Sequence, residues 1–266
     1  MSPLAGRWRP TLLAGTLGAL ALFVGACSTP DPWHHATGQV PATFAGKQVV
    51  PASGQFLLAL PEGFDARSKQ RWPLLIFLHG SGEAGSDLDR VTVNGPPRLL
   101  KEGHRLPFIV VSPQTRNQWP YGAFDPVALD AMLDELLARL PIDPDRVYLT
   151  GLSMGGIWSY GWGTLRPERF AAIVPVSAGW NPEDACRLKS VPVRAFHGAK
   201  DDVVPLADDR AMVEAIRACG GEATLTVYPD AGHDAWTRTY EDPALYEWLL
   251  GQRRHGARPK TFTVTR

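Results

Sequence analysis

Arg146-Val-Tyr-Leu-Thr-Gly151-Leu-Ser-Met-Gly-Gly156 is the stretch that decides how this chain folds. Arg146–Thr150 has the β-branched and aromatic content of a strand, and Ser153–Thr164 continues directly as a helix. Between them sits Gly151-Leu152-Ser153-Met154-Gly155, a G-x-S-x-G. A strand that turns sharply into a helix holds its central serine on a strained backbone, and small flanking residues let the two elements close up. In a chain with 26 Gly the pentapeptide is a weak signal on its own. Its place between strand and helix makes Ser153 a candidate nucleophile.

Outward from this turn the chain alternates strands and helices. Gln55–Leu60, Pro73–Leu78, Pro107–Ser112, Ala171–Ser177, Val191–Phe196 and Ala223–Tyr228 read as further strands. Pro73–Leu78 and Pro107–Ser112 are nearly continuous apolar runs, as strands buried on both faces are. Asp125-Pro126 is an N-cap followed by a first-turn proline. Leu129, Leu133, Leu136 and Leu140 then mark one helical face. Pro205–Ala218, stopped by Gly220-Gly221, and Pro243–Gly251 are the later helices. This order predicts an α/β fold, a mostly parallel sheet with helices on both faces and its site beyond the carboxyl ends of the strands.

A serine hydroxyl is a poor nucleophile until a base takes its proton. His233, in the loop after the last strand, is the best-placed base. His79 and His197 each end a strand as His-Gly and read as strand-end residues with local hydrogen-bonding roles; His104 and His255 have no supporting context. The acid belongs between Ser153 and His233 at a strand end, where Asp201 and Asp202 stand together. Only one can face His233, and Asp201 is preferred. Two backbone amides must receive the developing oxyanion: those of Met154 and of Ser81, in His79-Gly80-Ser81-Gly82-Glu83. Such a site needs no metal or organic cofactor. Glu83, Gln114, Trp119, Trp158, Trp180 and Trp236 fall in or beside strand-end loops and are candidates for lining a cleft.

These segments resemble the bacterial carboxylesterase and dienelactone-hydrolase-like (phospholipase/carboxylesterase) branch of the α/β-hydrolase superfamily. His79-Gly-Ser-Gly82, Gly151-Leu-Ser-Met-Gly-Gly156, His197-Gly-Ala-Lys-Asp201 and Gly232-His-Asp-Ala-Trp236 carry the likeness, over residues 45 to 252. It implies Ser153 as nucleophile, Asp201 as acid, His233 as base, and carboxylic ester hydrolysis. Dienelactone hydrolases use a cysteine nucleophile, so Ser153 argues against that lactone chemistry. Short-chain, feruloyl and acetyl-polysaccharide esters are the expected substrates. Only Ala178–Ser190 lies where many lipases insert a lid, so no large cap domain is expected. A prolyl-oligopeptidase-like peptidase and a non-catalytic surface binding protein on the same fold are the alternatives; the chain has no sequence for the propeller of the former.

Composition narrows the partners. Twenty-seven basic residues balance 27 acidic ones, and no charge run appears, so nothing favours nucleic acid. Residues 1–26 have a basic start, an apolar core from Thr11 to Val24 and small residues before Cys27, as an export signal does. This resembles a bacterial lipoprotein signal, which implies acylation at Cys27, a membrane contact by lipid anchor only, and an outer-membrane destination. Residues 27–45, with three prolines and no strand or helical period, read as a tether. Residues 46–252 are the catalytic domain and 253–266 a tail. Export permits a disulfide between Cys186 and Cys219; two separate buried thiols is the other reading.

Overall fold

The structure is a computed structural model and describes residues 38–43, 54–118 and 123–254. The leader, Cys27, Trp119, His255 and the end of the tail lie outside those residues. Among the described residues, eight strands form one sheet: β1 (Gln39–Thr43), β2 (Gln55–Ala59), β3 (Trp72–Leu78), β4 (Ile109–Pro113), β5 (Ile142–Leu152), β6 (Ala172–Val176), β7 (Val193–Gly198) and β8 (Ala223–Tyr228). Their order is β1-β2-β4-β3-β5-β6-β7-β8. The first two pairings are antiparallel and the rest parallel.

Alternation along β3 explains its unbroken apolar run. Leu74, Ile76 and Leu78 enter one hydrophobic cluster, while Leu75 and Phe77 enter a second on the other face. Helices α2 (Pro126–Arg139), α3 (Met154–Leu165) and α4 (Leu206–Ala218) cover the first face through Leu133, Trp162 and Met212. Helices α1 (Gly95–Lys101), α5 (Trp236–Glu241) and α6 (Pro243–Gly251) cover the second through Leu99, Tyr240 and Leu249. The Asp125 carboxylate accepts from the Val127 amide, so the expected cap starts α2.

Three features depart from the sequence reading. The segment read as a tether to residue 45 contains β1, whose Ala42 is buried and whose backbone pairs with β2 across five residues. Pro41 is tolerated because β1 is an edge strand. Helices α1 and α5 are too short to show a helical period, and two prolines open α1. Thirdly, the tail is not all free chain: Arg254 donates from its backbone to Asp145 and pairs with the Asp145 carboxylate. Ala178–Ser190 holds only a 3-10 segment, Pro182–Leu188, and no large cap.

Cys186 and Cys219 form a disulfide, with Cα atoms 5.3 Å apart. It ties the segment before β7 to the end of α4, closing a loop of 33 residues. Replacing both cysteines by serine is expected to lower unfolding stability by about 2 to 4 kcal/mol, mainly by freeing the unfolded chain. Thermal unfolding with and without the substitutions measures this.

Candidate active site

Four segments converge beyond the carboxyl ends of the parallel strands: the turn after β3, Ser153 after β5, Asp201 after β7 and His233 after β8. Ser153 has φ 51° and ψ −120°, outside the ordinary regions for a side-chain-bearing residue. That turn closes only because its neighbours lack side chains. A Cβ on Gly155 would sit 1.9 Å from the Leu78 carbonyl oxygen, and one on Gly151 would sit 2.3 Å from the Gly155 oxygen. The glycines thus press the start of α3 onto the end of β3, beside the loop that carries Ser81.

His233 Nε2 lies 2.9 Å from Ser153 Oγ, and its Nδ1 lies 2.8 Å from Asp201 Oδ2. The Asp201 side chain is fully buried and Asp202 is exposed, which separates the two neighbours. Asp201 Oδ1 accepts from the amides of Val203 and Val204, each at 2.9 Å. Burial pushes the Asp201 carboxyl up, but His233 and these amides outweigh it and hold it below the usual carboxylate range. The carboxylate is therefore ionised and aimed at Nδ1, which leaves Nε2 free to accept the serine proton.

Met154 is the first residue of α3, and Ser81 opens a 3-10 turn, Ser81–Glu83. First-turn amides have no acceptor within their own helix, so both positions supply donors. His79 braces this loop. The Thr115 amide donates to its Nε2 at 3.1 Å, so Nδ1 carries the proton and donates to the Gly80 carbonyl at 2.6 Å. Burial pulls the His79 pKa down to about 4, which keeps that neutral tautomer.

The cleft-lining candidates divide. Glu83 and Gln114 are buried and brace the loop instead of facing a ligand. Gln114 donates to the carbonyls of Glu83 and Asp87, and Asn94 donates to the Glu83 carboxylate. Trp158 is buried too, with its ring 6.0 Å from that of Trp180. Trp236 stands edge-on to His233 at 5.1 Å and donates to Asn94 Oδ1. It walls the imidazole. Trp180 is half-exposed and borders a cleft of about 500 Å³ with Ile157, Asn181, Asp184, Val204 and Asp208. Ile157 lies one turn beyond Ser153, so this cleft adjoins the triad. A larger hollow, about 620 Å³, is lined by residues that precede β4 and lies at the opposite edge of the sheet.

Two buried groups escaped the sequence reading. Ser177, with φ 50°, donates to the His233 carbonyl at 2.8 Å and pins the base's loop. Asp209 accepts from Tyr160 and faces His197. A charged residue within a helix of otherwise exposed acids shows no sign of burial in one dimension.

Comparison with known proteins bears on the fold and the class of hydrolase. The phospholipase/carboxylesterase family model matches residues 127–245. A probable feruloyl esterase C of Aspergillus terreus is 28% identical over 72% of this chain and 68% of its own. A bifunctional acetylxylan esterase/xylanase of Neocallimastix patriciarum is 29% identical over 66% of this chain but only 26% of its own length. A solved thermostable esterase superposes with a TM-score of 0.68 at 28% identity, covering 82% of this chain and 64% of that one. The fold is the α/β-hydrolase fold, and the chain is a carboxylesterase-like hydrolase.

Proposed function

We propose that the protein hydrolyses carboxylic esters through an acyl-enzyme on Ser153. The observation that carries this is the unbroken chain from Ser153 Oγ through His233 to Asp201, at 2.9 and 2.8 Å, on a strained strand-to-helix turn. His233 takes the hydroxyl proton as Oγ bonds to the ester carbonyl carbon. The amides of Met154 and Ser81 receive the oxyanion. The tetrahedral intermediate collapses, the C–O bond breaks, and His233 gives the proton to the leaving alcohol. Water, deprotonated by His233, then releases the acid and restores Ser153. Asp201 holds the imidazole tautomer and stabilises the imidazolium throughout.

The half-exposed cleft beside Trp180, with no large cap among the described residues, favours esters with a bulky aromatic or sugar part, and the named esterase relatives support that class. A screen over acetyl, feruloyl, acetylated-xylan, polyester and peptide substrates tests the reading. Turnover of feruloyl or acetyl-xylan esters above p-nitrophenyl acetate is the expected result; cleavage of peptides alone would overturn it. Chelators should leave the rate unchanged. Export and acylation at Cys27 are part of the same proposal, supported by the residue pattern of 1–27. Mass spectrometry of the mature N-terminus checks them.

A further inference from the structure

Behind the triad carboxylate lies a second buried imidazole. His197 ends β7 and is inaccessible to solvent. Its Nε2 lies 3.0 Å from the Val204 carbonyl oxygen and 3.1 Å from Asp201 Oδ2. Its Nδ1 lies 2.9 Å from Asp209 Oδ2, and Tyr160 donates to the other Asp209 oxygen at 2.6 Å. A carbonyl only accepts, so Nε2 carries a proton. Nδ1 faces a carboxylate, so a proton lies on that contact as well. Asp201 Oδ2 thus sits between two imidazoles and Oδ1 between two amides, which saturates the carboxylate.

We infer that His197 is a positioning residue, held as an imidazolium by Asp209 and Tyr160, whose charge lies against Asp201 Oδ2 while its Nε2–H is given to the Val204 carbonyl, and which acts on His233 through that shared carboxylate. This inference rests on the esterase reading of the triad. The groups facing His197 are Asp201 from its own loop, Asp209 from α4 and, through Asp209, Tyr160 from α3. Those facing His233 are Asp201 and Ser153. Burial pulls the imidazole of His197 down, but the Asp209 bond and charge, the Val204 carbonyl and Asp201 outweigh it and hold it above its ordinary value. The cation shares Asp201 with His233. Its charge therefore offsets part of the Asp201 charge that faces His233. Asp209 and Tyr160 make no contact with the reacting atoms; they act through His197.

Asp209→Asn removes the counter-ion and discharges His197. The positive end nearest Asp201 is lost, and the acid limb of kcat/KM against pH moves up by about 0.5 to 1 unit. Tyr160→Phe, which keeps the ring packing, gives a smaller shift of the same sign and serves if Asp209→Asn unfolds. Independently, ¹⁵N-labelled wild-type protein at pH 8, assigned by comparison with His197→Gln, should show both His197 ring nitrogens protonated. An acid limb that stays put in folded variants, or an unprotonated Nδ1, overturns the inference. If Ser153→Ala keeps full activity, the esterase reading fails instead, and the two failures are distinct because the nitrogen spectrum does not depend on turnover.

Discussion

Ser153→Ala lowers kcat for p-nitrophenyl acetate by about 10⁴ to 10⁶, leaving the small residual rate that oxyanion donors and binding alone sustain. Oγ is the only atom of the residue within hydrogen-bond reach of His233 Nε2, so its removal deletes the nucleophile without touching the base, the acid or the oxyanion donors. The backbone of Ser153 bonds to the Val176 carbonyl and to the Ile157 amide, and alanine keeps both bonds. Thermal unfolding should therefore change little, so that lost activity reports chemistry and not folding. Covalent labelling by a fluorophosphonate disappears in the same variant. Labelling that persisted would place the nucleophile elsewhere and sink the triad assignment.

Asp201→Asn is expected to lower kcat by about 10⁴, whereas Asp202→Asn changes it by less than about threefold. The reason is tautomeric. Oδ1 accepts from two amides, so the asparagine oxygen must stay there. Its NH₂ then faces His233 Nδ1 and donates to it. The imidazole proton is driven to Nε2, which can no longer accept from Ser153. The same NH₂ lies beside His197 Nε2, whose N–H is already given to the Val204 carbonyl, so it finds no acceptor there. Asp202 is exposed, and its charge is screened by water. Comparing kcat of the two folded variants decides between these neighbours; equal losses would remove Asp201 from the triad.

The G-x-S-x-G turn, the apolar strands and the capped α2 were legible because each depends on local rules. Backbone strain at a turn needs glycine, a doubly covered strand needs continuous apolar residues, and a helix start needs a cap. Short elements were not. Five residues of β1 and six of α5 carry too little period, and β1 is held by pairing with β2, which no local pattern announces. Among the candidate site residues, chain order placed Ser153, Asp201 and His233 at strand ends. It could not say that Gln114 and Glu83 would turn inward to brace a loop, since a polar residue near a strand end reads the same whether it faces solvent or a carbonyl.

What the sequence by itself determined is the chemistry on offer: a serine at a strained turn, a histidine and an acid after later strands, and glycines where backbones must touch. Only the tertiary structure buried Asp201 against His233 while leaving Asp202 exposed, made neutral His79 a brace, and set His197 and Asp209 behind Asp201. Those outcomes depend on burial and on which donors meet which acceptors across elements 12 to 49 residues apart, from His197 and Asp209 to Tyr160 and Asp209. Desolvation makes each such contact obligatory, and desolvation exists only once the sheet and its helices have closed.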